Sequence, residues 1–404
     1  MNEQIQPPQG APLFNPWTPA FIADPYSFYH RLRATDPMHL TPLGYYVASR
    51  HADVAAILRD KRFGKDFMRR AVLMLKEPVY LSMSHWILQL DPPDHGRLRN
   101  LVVRAFTARR VEDMRPRIQQ IVDELIDRLE PQGHMDLIAD FASRLPVTVI
   151  CDMLGIPEED RQVFFTSSHA RFGRLLDMAP LSRAELDQQN SYYLAMAEYF
   201  GRLFELRRRE PEDDLTTYLV QAEENDRLTN EELTANVILL FAAGHETTVN
   251  LIGNGLLALH RNPDQLRLLK NDPSLMANAI EELLRYDASV QVTSRTALEY
   301  VDEIGGISLE KGRSVICLLG SANRDPAVYS DPDRLDVTRP DVRPLSFGGG
   351  IHHCVGAQLA RLEGEIAIAT LLGRLPDLQL DDVDHPDWQQ TFVLRGLNKL
   401  PASW

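Results

Sequence analysis

Near the C-terminus, Phe347-Gly348-Gly349-Gly350-Ile351-His352-His353-Cys354-Val355-Gly356 gathers residue types that could hold a cofactor. Glycines let a backbone pass close to a large flat group, and Cys354 opens the helical pattern AQLARLEGEIAIATLLGRL. The free amides and dipole of a helix start favour a thiolate, so Cys354 reads as an anionic ligand. The pattern Phe-x-x-Gly-x-x-x-Cys-x-Gly is long enough that chance explains it poorly. Cys151 and Cys317, in the apolar runs VICDML and VICLLG, read instead as inert core side chains. Three cysteines without a Cys-x-x-Cys support neither a disulfide framework nor a zinc knot, and they suit a reducing compartment.

A second constellation interrupts the most periodic stretch, 228–260. It opens on Thr229-x-x-Glu232, a capping box, and its spacing predicts one long helix. In the middle, Phe241-Ala242-Ala243-Gly244-His245-Glu246-Thr247-Thr248 sets small residues, an acid and hydroxyls into an apolar run. A helix-interior glycine costs about 1 kcal/mol against alanine, which suggests close approach by another group. Two look-alike motifs fail here. His245-Glu246-Thr247-Thr248-Val249 lacks the second histidine of the zinc motif His-Glu-x-x-His. Gly253-Asn254-Gly255-Leu256-Leu257-Ala258 sits inside the helix, not at the strand-to-helix turn that a dinucleotide site requires.

The elements that must position these groups are mostly helical. Apolar spacing of three to four residues predicts helices over 24–34, 51–60, 95–109, 111–129, 137–154, 157–174, 183–209 and 264–270. Strand-like alternation marks 38–49, 290–300, 307–319 and the C-terminus. The expected fold class is therefore mainly α with small β-sheets, too few and scattered for a central parallel sheet. RRREPEDD at 207–214 reads as a solvated loop, and neither a repeat nor a low-complexity segment appears. We expect one integrated domain over 1–404, with 1–23 as an extended N-terminal segment.

Composition narrows the function further. The 404 residues carry 43 Lys+Arg against 57 Asp+Glu, a formal charge of -14 that argues against nucleic acid as a partner. The start, MNEQIQPPQGAP, has neither the basic and apolar stretches of a signal peptide nor the length of a membrane anchor, so a cytoplasmic chain is expected.

Over residues 24–404 these motifs resemble the cytochrome P-450 family of haem-thiolate monooxygenases. The resemblance implies a helical prism with the long helix lying over haem b, iron protoporphyrin IX, and makes Cys354 the axial iron ligand. Phe347, Gly348, Gly356 and Ala243 would border the cofactor, with His95, Arg99, Arg295 and His352 facing its propionates; carboxylates suit arginine partners. Arg97, one residue off the His-x-x-x-Arg pattern, is left a surface role. Glu246 and Thr247 match the dioxygen-activating acid-alcohol pair, with Thr247 expected to bond back to the Ala243 carbonyl and Ala243 and Gly244 to open room over the iron. Glu282 and Arg285, spaced i, i+3, would hold the cysteine loop structurally, with Arg334 of Pro332-Asp333-Arg334-Leu335 as third member.

The implied reaction inserts one oxygen atom of dioxygen into a lipophilic small molecule. Nothing in the chain leaves space for a flavin or iron-sulfur domain, so electrons from NAD(P)H would arrive through a separate ferredoxin and ferredoxin reductase. Arg97, Arg99, Arg104, Arg109, Arg110, Arg115 and Arg117 form a candidate docking face. By the same alignment the substrate pocket would use Met83, His85, Trp86, Leu88, Leu239, Ala242, Val290, Gln291, Val292, Val393 and Leu394, with Thr293 as a further polar contact. The texture of AGHETTVNLIGNG and SANRDP is similar to that of soluble bacterial members acting on polyketides, macrolides and other secondary metabolites. A terpenoid, steroid or fatty-acid hydroxylase is the alternative. A peroxygenase, which usually replaces the Glu246-Thr247 pair, and a non-catalytic haem sensor are the weaker rivals.

Overall fold

A computed structural model describes residues 13–65, 74–166, 172–177, 181–225 and 227–404. Its axis is the helix Asn230–Arg261, 32 residues and about 48 Å long at the usual rise. The expected capping box forms. The Thr229 hydroxyl accepts from the Glu232 N–H at 3.2 Å, and the Glu232 carboxylate accepts from the Thr229 N–H at 2.9 Å. Burial all round the helix, not along one stripe, follows from the helices packed about it: Arg144–Leu154, Arg183–Arg209, Met276–Tyr286 and Ala357–Arg374.

This axis threads two large apolar clusters. Leu233 to Ala242 lie in one and Val249 to Leu259 in the other. Between them Ala243, Gly244, His245 and Thr247 are only half-buried. The polar interruption read from the sequence thus coincides with a break in packing along an otherwise enclosed helix.

Several expected helices are subdivided. The run 95–109 ends at Val102, passes through a tight turn at Val103–Phe106, and restarts at Ala108, where the Thr107 side chain caps the new helix. The run 111–129 breaks at Met114 because Pro116 requires a fresh first turn. Residues 137–154 divide into a wide turn, Leu137–Ala142, and the helix Arg144–Leu154. The run 157–174 becomes Glu158–Asp160, Arg161–Thr166 and Phe172–Leu176, with 167–171 outside the described residues. Helix 183–209 has its expected bounds. The N-terminal segment is not extended throughout: Pro19 and the Thr18 cap start a short helix, Pro19–Ala23, while 1–12 lie outside the described residues.

Three small sheets flank the helices. The largest runs in the order Met38–Leu40, Tyr46–Ala48, Ser314–Leu318, Val292–Ala297, Phe63–Gly64, with only the second and third strands parallel. The expected strand 307–319 is two strands, Ile307–Leu309 and Ser314–Leu318, because the chain turns at Gly312 with φ of 87°. The C-terminal strand Pro401–Ser403 pairs with His134–Asp136 and Gln379–Leu380.

Candidate active site

The Cys354 loop is built against the end of helix His51–Arg59. Gly350, at φ of 66°, sits so close that a Cβ would collide with the Leu58 carbonyl oxygen, so this position needs glycine for both reasons. The loop closes on itself where the Cys354 N–H donates to the Phe347 carbonyl at 3.0 Å. Arg361, one turn into the next helix, stacks 4.4 Å from the Phe347 ring and pairs with Glu281.

Cys354 is an exposed thiol with protein crowded around its other sides. That desolvation pushes its pKa up, against the lowering effects of the Gly356 amide, Arg99 and Arg361. The next helix starts at Ala357, three residues beyond the sulfur. A bound metal cation deprotonates a coordinating thiol outright. Cys151 and Cys317 are fully buried, and burial raises their thiols to about 12 and about 11, as inert core residues should be.

Beside this loop lies a concentration of basic groups. The His95 and His352 rings are 4.3 Å apart. Burial, then Arg295, His95, Lys65 and Arg99, push the His352 pKa down to about 2, and His352 Nε2 is buried without a hydrogen-bond partner. Arg295 is buried and, among the described residues, bonds only neutral oxygens, Thr293 Oγ1 at 3.4 Å and the Ser294 carbonyl at 2.8 Å. Arg99 reaches the His353 carbonyl at 2.6 Å. The fifth group, Lys65, was missed from sequence. It is buried, donates from Nζ to Thr293 Oγ1 at 3.3 Å, and desolvation and Arg295 lower its pKa to about 7. Asp91 is the carboxylate felt by Lys65, His95 and Arg295, and it already accepts from the Lys65 backbone N–H. Such a set is poorly compensated by the protein alone and fits a ligand carrying two carboxylates.

On the half-buried stretch of the central helix, Thr247 Oγ1 donates to the Ala243 carbonyl at 3.0 Å, as expected. Ala243 and Thr247 are one turn apart and share the half-buried face. A Cβ on Gly244 would touch Ile150 at an ordinary 3.5 Å. Gly253 and Gly255, by contrast, allow Ile138 and Leu283 to approach the helix, which accounts for the false dinucleotide motif. Glu246 is buried and accepts from the Gly173 N–H at 3.0 Å. Its charge adds to burial in raising the Tyr192 phenol.

The buried ion pair behind the loop corrects one assignment. Arg285 donates twice to Glu282, at 2.7 and 2.8 Å, and to the carbonyls of Asn323, Pro332 and Arg334. The third member is Arg339, not Arg334. Arg339 Nε lies 3.2 Å from the Glu282 carboxylate, whereas the Arg334 side chain is exposed and only its carbonyl takes part. The chain passes Glu282 at Asp336, whose N–H donates to it at 2.9 Å, and this carries the Asp336-Val337-Thr338-Arg339 turn inward.

Met83, Trp86, Leu239, Ala242, Val292, Val393 and Leu394 share one apolar cluster, with Leu88, Val290 and Ala243 packed on it. One expected pocket residue turns away from them. Gln291 is buried among Tyr29, Tyr26 and Ala288, bonding all three, because neighbours in an extended segment face opposite ways. His85 lies near the start of the central helix, where its carbonyl accepts from Asn236 Nδ2 at 2.9 Å. Thr293 faces Lys65 and Arg295. Arg97 bridges Glu232 and Asp94 at the surface.

Beside this thiol on its glycine-shaped loop and the adjacent cationic cradle, the comparison with known families is decisive: the cytochrome P450 family model matches residues 37–399. The chain belongs to the cytochrome P450 family. It is 42% identical over 394 residues to the cytochrome P450 monooxygenase PikC of Streptomyces venezuelae, covering 95% of this chain and 92% of PikC. Its fold is similar to that of P450BioI in complex with an acyl carrier protein ligated to hexadec-9Z-enoic acid, with a TM-score of 0.90, 38% identity and coverage of 95% and 99%. It is also similar to the P450 PksS of the Bacillus subtilis bacillaene polyketide synthase, with a TM-score of 0.86, 38% identity and coverage of 96% and 99%. The chain is a P450 monooxygenase that uses haem, dioxygen and reducing equivalents. No helix among the described residues of this P450 is long and apolar enough to cross a membrane.

Proposed function

We propose that this P450, acting as one domain over 1–404 in the cytoplasm, hydroxylates or epoxidises a lipophilic polyketide, macrolide or related secondary metabolite. Cys354 would supply the thiolate that ligates the iron of haem b, and Lys65, His95, Arg99, Arg295 and His352 would hold its carboxylates. The observation that carries the reading is the basic cradle beside Cys354, where His352 Nε2 has no hydrogen-bond partner among the described residues. Glu282, Arg285 and Arg339 hold the loop by a buried pair that removal of one partner would leave uncompensated.

Bound haem supplies the reductive activation of dioxygen and the transfer of one oxygen atom. The chain's own residues orient and deliver protons. Thr247 donates to the Ala243 carbonyl and keeps its oxygen lone pairs free to hold a water or a proton on the half-buried face. Glu246 is the buried carboxylate that accepts protons one residue away. Retention of this pair favours a monooxygenase over a peroxygenase. Met83, Trp86, Leu239, Ala242, Val292 and Leu394 exclude water and orient an apolar substrate.

NAD(P)H electrons would arrive through a ferredoxin and its reductase. Of the seven arginines in the candidate docking face, Arg97, Arg115 and Arg117 are held in ion pairs with Glu232, Glu112 and Asp152. Arg104 and Arg110 are exposed without ion pairs among the described residues, and Arg109 has only a 4.0 Å contact to Asp113. The likeness to PksS, a P450 of a polyketide synthase, supports the substrate class. Titrating the ferric protein with polyketides, terpenoids, steroids and fatty acids tests it. A low-to-high-spin shift and coupled turnover with polyketides are expected, and a response confined to fatty acids or their carrier-bound forms overturns this substrate class.

A further inference from the structure

One buried polar seam has no part in the site above. Asn250, one helical turn beyond Glu246, is 1% exposed, and among the described residues neither its amide nitrogen nor its oxygen has a hydrogen-bond partner. A second turn on, Asn254 donates to the Arg395 carbonyl at 3.0 Å and leaves its own oxygen without a partner. Ser289 Oγ and Gln389 Oε1 are likewise buried and unpartnered.

All four residues surround the three-residue segment 395–397. The Ser289 carbonyl accepts from the Arg395 N–H at 2.8 Å. The Gln389 N–H donates to Gly396 at 2.9 Å, and its side chain to Leu397 at 3.1 Å. Gly396 lies against Asn250 so closely that a Cβ would collide with the amide. The same strand of chain reaches Glu246, because Leu394 packs on Gly173 and the Gly173 N–H bonds the Glu246 carboxylate. At its other end Gln389 and Arg395 line a small cleft with Trp388, Gln291 and Thr391.

Leaving a buried amide unsatisfied costs about 1 to 3 kcal/mol per group, and five such atoms around one segment call for ordered water. Asn250 and Asn254 follow Glu246 at successive turns of one helix face, so a bridging chain of water would end at the carboxylate. We propose that this seam is a hydrated proton path from the Arg395 cleft to Glu246, with Asn250 as the positioning residue for its last water. A proton from solvent passes along the waters to the Glu246 carboxylate, which becomes neutral and returns to its anion on giving that proton up on the Thr247 side; no electrons move. The inference rests on the proton-accepting role proposed for Glu246.

The test uses the haem-loaded protein. A high-resolution crystal structure is expected to place ordered water on both amide atoms of Asn250; a dry, repacked Asn250 overturns the path. Asn250→Leu is expected to raise the solvent deuterium isotope effect on product formation and lower coupling about tenfold, below the usual limit for losing an acid-base group itself. Asn250→Ser, which keeps a water partner, should retain most of the coupling. Should Asn250→Leu fail to fold, Gln389→Met at the outer end carries the same prediction. An isotope effect unchanged in these variants but altered in Glu246→Gln refutes the seam and leaves Glu246 standing. No change in Glu246→Gln removes the reading on which the seam depends.

Discussion

Thr247 carries the most specific chemistry that a single side chain can be asked to show. Its hydroxyl bonds the Ala243 carbonyl at 3.0 Å, on the half-buried face of the central helix. Thr247→Ala is expected to divert oxygen reduction to peroxide, with product per NAD(P)H falling about tenfold or more. Peroxide and product stoichiometry measure this, and unaltered coupling contradicts it. Lys65 gives a test by pH. Burial lowers its pKa from 10.5 unfolded to about 7 folded. Between those values the unfolded chain holds a proton that the folded chain lacks, so haem-free stability rises with pH across the window. Relative to Lys65→Met, the wild type should therefore gain stability from pH 7 to 10 in urea unfolding. Haem carboxylates would keep Lys65 charged, so the loaded protein should lose that slope. Cys354, His95, Arg99, Arg295 and His352 were legible as residue types at family spacing. Lys65 was not, because its strand neighbour Gly64 reaches the cradle by pairing with Thr296, a long-range contact that no local pattern encodes.

At the scale of elements, spacing recovered the central helix and Arg183–Arg209, where caps and periodicity agree. It missed the breaks at Met114 and Val103 because apolar periodicity continues across them while backbone geometry does not. The Arg334 assignment failed for a related reason: alignment fixes sequence order, whereas the turn at Asp336 decides which guanidinium reaches Glu282. The two arginines can be separated experimentally. Arg339→Leu removes a partner from a fully buried carboxylate and should cost about 3 to 5 kcal/mol, with haem retention reduced. Arg334→Leu should change stability by less than about 0.5 kcal/mol, since that side chain is exposed. Thermal and denaturant unfolding of both decides between them, and the reverse order contradicts the assignment.

Across the whole molecule, a formal charge of -14 sets a background that repels an acidic partner, so docking must rely on a local basic face. Arg104, Arg109 and Arg110 surround the short helix Ala108–Asp113 and its preceding turn, which pack against the helix following Cys354. Arg110→Glu is expected to raise the KM for ferredoxin several-fold at low salt, with the difference shrinking as ionic strength increases. A salt-independent effect, or none, contradicts this docking face. The overall architecture was readable because the cysteine loop, the acid-alcohol pair and the buried Glu-x-x-Arg occur in one order along nearly the whole chain. Pocket orientation was not, since Gln291 is turned away by contacts with the distant Tyr26 and Tyr29.

The central claim is that Cys354 is the thiolate ligand of a haem held by the basic cradle. The carbon monoxide difference spectrum of the reduced, purified protein, measured beside Cys354→Ser, tests it most directly. The account predicts a strongly red-shifted Soret band in the wild type that is lost in the variant. A band at the position of a neutral thiol or imidazole ligand, or one that survives in Cys354→Ser, would contradict it.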